Sequence, residues 1–95
     1  MKLIELDARD WRTVLDFYEA LLAELGAPRW HGRNVNALID SMIYGGINEV
    51  DPPYKILISE TAKLPIDVNG EIAFAILAVG EAQGTDIVVE FQTIP

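Results

Sequence analysis

Three short apolar runs, separated by segments of helical spacing, leave this 95-residue chain few folds to choose from. Leu3, Ile4 and Leu6 make the first run. Tyr54 to Ile58 (Y-K-I-L-I) makes the second, and Ile87, Val88, Val89 and Phe91 make the third. Two helical segments lie between the first and second runs, and one between the second and third. The order is therefore β-α-α-β-α-β. Strands divided by helices pair in parallel through right-handed crossovers. The expected fold is α/β, a small three-stranded parallel sheet packed with helices. The nearly continuous apolar centre of the second strand predicts cover on both of its faces.

In the first helix, Trp11, Val14, Leu15, Tyr18, Leu21, Leu22 and Leu25 recur at helical spacing, with Arg12, Asp16, Glu19 and Glu24 on the other side. Asp7 and Asp10 are its candidate N-caps, and Gly26 its stop. The second helix is expected over Val35 to Ile43, capped by Asn34. Stepping about 100° per residue puts Val35, Leu38, Ile39, Met42 and Ile43 on one face. Asn36, Ala37, Asp40 and Tyr44 fall on the other, with Asn36 and Asp40 one turn apart. Tyr44-Gly45-Gly46 ends this helix and Asp51-Pro52-Pro53 forms a stiff connector. A third, longer helix is capped by Asp67 or Asn69 and ended by Gly84. Ile72, Ala73, Phe74, Ile76, Leu77 and Val79 make it apolar over most of its surface, which predicts deep burial.

The chain is 51% hydrophobic, enough for one modest core, so residues 1–95 are expected to form one domain. No apolar run reaches the roughly 18 residues of a membrane span. Met1-Lys2 continues into Glu5 and Asp7, unlike a signal peptide. The absence of cysteine removes disulfides, thiolate catalysis and zinc–thiolate sites, and fits a cytoplasmic protein. A single histidine cannot build a histidine-based metal cluster, so no metal or other cofactor is expected. The formal charge is −8, from 15 acidic and 7 basic residues. Such a field repels nucleic acid and attracts a basic partner, or simply keeps the chain soluble and, when free, monomeric.

Catalysis is not expected. His31, Asp40 and Ser41 or Ser59 supply the residue types of a hydrolase triad, but neither serine sits in a Gly-x-Ser-x-Gly turn. Gly45-Gly46 lacks the Lys-Ser/Thr that a phosphate-binding loop requires.

One segment carries more specific information. Trp30, His31, Gly32, Arg33, Asn34, Val35, Asn36, Ala37, Leu38, Ile39 and Asp40 run in sequence as aromatic, ring, Gly, any, Asn, aliphatic, polar, Ala, Leu, any, Asp. This resembles the barstar family, intracellular protein inhibitors of secreted bacterial ribonucleases. Element order, length and the Gly84-Thr85-Asp86 approach to the last strand are also similar. The resemblance implies that the second helix and its preceding loop plug a ribonuclease cleft, with Asp40 standing in for an RNA phosphate. A carboxylate can accept charge-assisted hydrogen bonds from the Arg, Lys and His of such a cleft.

Trp30, His31, Gly32, Asn34, Asn36, Ala37, Asp40 and Tyr44 are accordingly the candidate partner-binding residues. Each also has a structural reading. Asn34 reads first as an N-cap. Gly32 supplies either a positive φ or room for a partner's backbone. Trp30 beside His31 forms an exposed recognition pair or folds back on the first helix; the polar neighbours favour exposure. Asp40 and Asn36 could be ordinary solvated residues. Some positions depart from the family pattern. Asn36 stands where an aspartate is usual, Ile39 where a well-known member has tryptophan, and Val79 where it has an acidic contact residue. Arg29 and Arg33 add positive charge. The expected partner is a basic bacterial ribonuclease or a related toxin. The alternative is an immunity protein for a different toxin or a non-inhibitory interaction module, using the same scaffold and the Gly45–Asp51 loop.

Overall fold

The computed structural model describes residues 1–95. Its elements are β1 (Lys2–Asp7), α1 (Val14–Leu25), α2 (Val35–Met42), β2 (Tyr54–Ser59), α3 (Ile66–Gln83) and β3 (Val89–Thr93). The three strands form one parallel sheet in the order β1-β2-β3. Ile4 and Leu6 lie in register with Ile56 and Ile58, and Ile56 in turn with Phe91. The β-α-α-β-α-β architecture is the one the apolar runs predict.

Burial alternates along the strands. Ile4, Leu6, Tyr54, Ile56, Ile58 and Val89 are buried, whereas Leu3, Glu5, Glu90 and Gln92 are exposed and Lys55, Leu57 and Ser59 are intermediate. The helices therefore cover one face of the sheet, and the expectation of cover on both faces of β2 is corrected. Lys55 and Leu57 owe their partial burial to the strands flanking them on either side.

A single cluster of 20 buried residues joins this face to the helices. Phe17 and Leu21 of α1 and Leu38 of α2 are completely enclosed, each worth roughly 1.5–3 kcal/mol of burial. The Tyr18 hydroxyl donates to the Glu71 carboxylate and so ties α1 to α3. Burial first, then Glu71, holds that hydroxyl's proton well above the usual tyrosine range.

The helix starts differ from expectation. Thr13, not Asp7 or Asp10, caps α1. Its hydroxyl accepts from the Asp16 N–H, while the Asp16 carboxylate accepts from the backbone N–H groups of Thr13 and Arg12. That reciprocal pair satisfies more of the first turn than a lone aspartate can. Trp11 lies ahead of the helix but is still buried, 5.8 Å from Phe17 between ring centroids. Leu15, expected on the apolar side, is exposed. Pro65, with no side-chain bond, precedes α3, so Asp67 falls inside the first turn rather than at the cap.

Deep burial of α3 is also corrected. Val68, Ile72, Ala75 and Val79 are buried and Ile76 and Ala78 pack half-buried against the core, while Ile66, Phe74 and Leu77 are exposed. A one-sided sheet has no further layer to cover the outer surface of this helix. Gly84 ends α3 as expected, and β3 begins two residues later than Ile87.

Candidate functional site

Gly26 sets up the site. It ends α1 with φ 65° and ψ 41°, a left-handed conformation that returns its N–H to the last turn. A Cβ there would lie 2.7 Å from Cβ of Glu49, so glycine is required by space as well as by φ. The later loop docks at this point: the Glu49 N–H donates to the Gly26 carbonyl at 3.1 Å and the Val50 N–H to Leu25 at 3.0 Å. Two loops distant in sequence are thereby held side by side.

The loop before α2 is anchored from beneath. His31 is 3% exposed. Its Nδ1 lies 2.7 Å from the Gly32 carbonyl and its Nε2 2.7 Å from Ser41 Oγ. A carbonyl only accepts, so in the neutral ring Nδ1 carries the proton and Nε2 accepts from the serine hydroxyl. His31 is therefore an internal strut, and the expectation of an exposed Trp30–His31 pair holds only for Trp30, which is 74% exposed. Arg33 braces the same loop. Its Nε donates to Glu19 of α1 at 2.7 Å and its NH1 to the His31 carbonyl at 2.9 Å. The pairing raises the affinity of Arg33 for its proton and lowers that of Glu19. The charge that Arg33 was expected to add to the recognition face is thus matched by Glu19.

Asn34 caps α2 as expected, its Oδ1 accepting from the Ala37 N–H at 2.8 Å. The helix runs to Met42, one residue short of expectation, with Ile43 as its C-cap. Val35, Leu38, Ser41 and Met42 form its buried side; Ile39 and Ile43 are half-buried against the core. Gly32 has no positive φ. A Cβ there would stand 3.0 Å from Asn34 Nδ2 and 3.1 Å from Ala37 Cβ, so glycine serves close packing beneath the cap.

These contacts shape a notch of about 70 Å³ lined by Trp30, His31, Gly32, Ala37, Asp40 and Ile47. Asp40 is exposed and forms no ion pair within the chain. Five of the eight candidate residues meet at the notch. Asn36 is exposed on α2 and Tyr44 is 78% exposed beyond its end, both outside the lining, and Asn34 is occupied as the cap. Val79 is fully buried, so its position offers no contact surface. From sequence, Ser41 is only a hydrolase residue type and Glu19 only a polar-side residue of α1, while Ile47 falls within the Gly45–Asp51 loop that the alternative reading uses. Ile47 brings that loop to the notch, where the Glu49–Gly26 and Val50–Leu25 bonds hold it.

No three His, Cys, Asp or Glu side chains come together as a metal site. No helix is long and apolar enough to cross a membrane.

The sequence profile of the family described as Barstar (barnase inhibitor) matches residues 1–92. The chain belongs to the barstar family. Its three parallel strands and three helices, in the order β-α-α-β-α-β, are those of a barstar-like α/β protein. No curated protein matches the sequence.

Proposed function

We propose that this barstar-family protein inhibits a basic bacterial ribonuclease by inserting Asp40 and the Trp30-bearing loop into its phosphate-binding cleft. The supporting observation is Asp40 itself: an exposed carboxylate, free of internal ion pairs, at a notch beside an exposed tryptophan. A rigid helix presents it, and the His31–Ser41 and Arg33–Glu19 bonds hold the adjoining loop. Such preorganisation lowers the ordering cost of association, and an aromatic residue beside a charge is a common interface anchor. Net charge −8 speeds encounter with a basic cleft. The protein acts in this reading as a cytoplasmic monomer, with Asn36, Ala37 and Tyr44 around the contact.

The deciding experiment is calorimetric titration into a barnase-like ribonuclease. Wild type is expected to bind tightly and inhibit. Asp40→Ala is expected to lose more than about 2 kcal/mol of binding energy while unfolding at nearly the wild-type temperature. Retained binding by Asp40→Ala overturns the mechanism.

A second reading rests on Asn36 and Val79. One leaves the exposed face of α2 with less acid than the family pattern, and the other is buried. Immunity against a different toxin, or a non-inhibitory interaction role, would then use the same notch. Absence of any binding by wild type to the ribonuclease selects this reading.

A further inference from the structure

The outer face of α3 is apolar where a solvent-facing helix is ordinarily charged. Ile66, Gly70, Ala73, Phe74, Leu77 and Gly80 fall within about 120° of one another at helical spacing, with Glu81 of the last turn the one charged residue in that sector. Ile66 is 92%, Phe74 56% and Leu77 62% exposed. Glycine weakens a helix interior, yet a Cβ at Gly70 or Gly80 would meet nothing within 4 Å. No packing inside the chain accounts for either glycine. Beside this ridge, a groove of about 380 Å³ runs between α3 and β3, lined among others by Ile76, Gly80, Ile87, Val89 and Phe91. Gly80 belongs to both, so ridge and groove form one apolar surface.

The chain that builds this surface carries charge of one sign beyond Lys63. No Lys or Arg follows Lys63, whereas Asp67, Glu71, Glu81, Asp86 and Glu90 all do: five acids and no base, a side-chain charge of −5. Lys55 lies opposite Glu90 in register, on the open side of the sheet. A second copy is a poor occupant, because it brings −8 against −8. An added strand is poorly accommodated too. Gln83 Oε1 accepts from the Val88 and Val89 N–H groups at 2.8 and 2.7 Å, and its Nε2 donates to the Val89 carbonyl at 2.9 Å. That side chain already occupies the start of the free β3 edge.

We propose that the α3–β3 surface docks an amphipathic helix of a partner protein, apolar on its docking side and bordered by Lys and Arg. The helix seats its apolar stripe against Leu77 and the groove, with Gly80 permitting close approach. Its basic border meets Glu81, Asp86 and Glu90. The surface is separate from the Trp30–Asp40 notch and the proposal does not depend on ribonuclease inhibition.

The test uses two synthetic helical peptides about as long as α3. One has a leucine stripe bordered by lysines; the other has glutamate at every lysine position. Each is titrated into the isotope-labelled protein and followed by amide NMR shifts and fluorescence anisotropy. The lysine peptide is expected to bind saturably, to shift Ile76, Leu77, Gly80, Ile87 and Phe91, and to weaken with added salt; the glutamate peptide is expected not to bind. Leu77→Ser is expected to weaken binding about tenfold. Gly80→Gln, which fills the groove with a polar side chain, is expected to weaken it comparably. Both positions are exposed, and thermal unfolding checks that both variants fold. Shifts centred on Trp30–Asp40 overturn the proposal, as does binding by both variants as tight as that of the wild type. Self-association of the free protein that Leu77→Ser abolishes makes the occupant a second copy, and also overturns it.

Discussion

Ser41→Ala tests whether the loop before α2 is held from below. Ser41 and His31 are 2% and 3% exposed, and the hydroxyl sits 2.7 Å from Nε2. Truncation strands that nitrogen as an acceptor in a buried site. A buried polar group left unpaired costs about 1–3 kcal/mol. For a domain of this size, about 2 kcal/mol lowers the midpoint of thermal unfolding by roughly 8–16 °C. His31→Leu removes the other partner. It leaves the serine hydroxyl its 3.4 Å contact with the Leu38 carbonyl, but costs the Gly32 carbonyl its donor. The double variant strands neither member of the His31–Ser41 bond, so it should be more stable than the sum of the single losses implies, by about 1 kcal/mol or more. Circular-dichroism melting of the four proteins closes the cycle. An unchanged midpoint for Ser41→Ala, or strictly additive losses, would refute the strut.

Other consequences are measured as directly. Gly70→Ala and Gly80→Ala should each stabilise the chain by about 0.5–1 kcal/mol in denaturant titration, because the added methyl meets open space in a helix interior. Asp16 is held below the usual carboxylate range, first by the Arg12 backbone N–H and then by that of Thr13. A depressed folded value means that its stabilisation is complete above about pH 4 and fades as pH falls through the lower folded value. Asp16→Asn should therefore flatten the acid limb of the melting curve. Tyr18 and Tyr54 are both raised, chiefly by burial. Their contribution is full below about pH 10 and is lost as pH rises further, so their tyrosinate absorbance should appear together with alkaline unfolding.

Legibility tracked the range of the interaction that decides each feature. Gly26 and Asn34 could be read as helix punctuation because capping involves residues a few positions apart. At the start of α1 the reciprocal Thr13-x-x-Asp16 cap prevails over Asp7 and Asp10, although that signal too is local. His31 carries no mark of burial in its neighbours. Its strut depends on Ser41, which helix periodicity brings beneath it only after α2 docks. Glu19, fourteen residues from Arg33, is a partner only once α1 lies beside the loop.

Residue pattern alone determined the element order, the parallel sheet and a family-specific segment ending in Asp40. Apolar period, caps and turns are local properties, and few small folds satisfy that order. Tertiary structure decided which surfaces meet water. It covered one face of β2 rather than two, and left Phe74 and Leu77 of an apolar helix outside. It also drew Ile47 to Asp40 across the Gly26–Glu49 contact. Exposure depends on how many layers a chain can stack. A three-stranded sheet with helices on one side runs out of layers before it runs out of apolar residues.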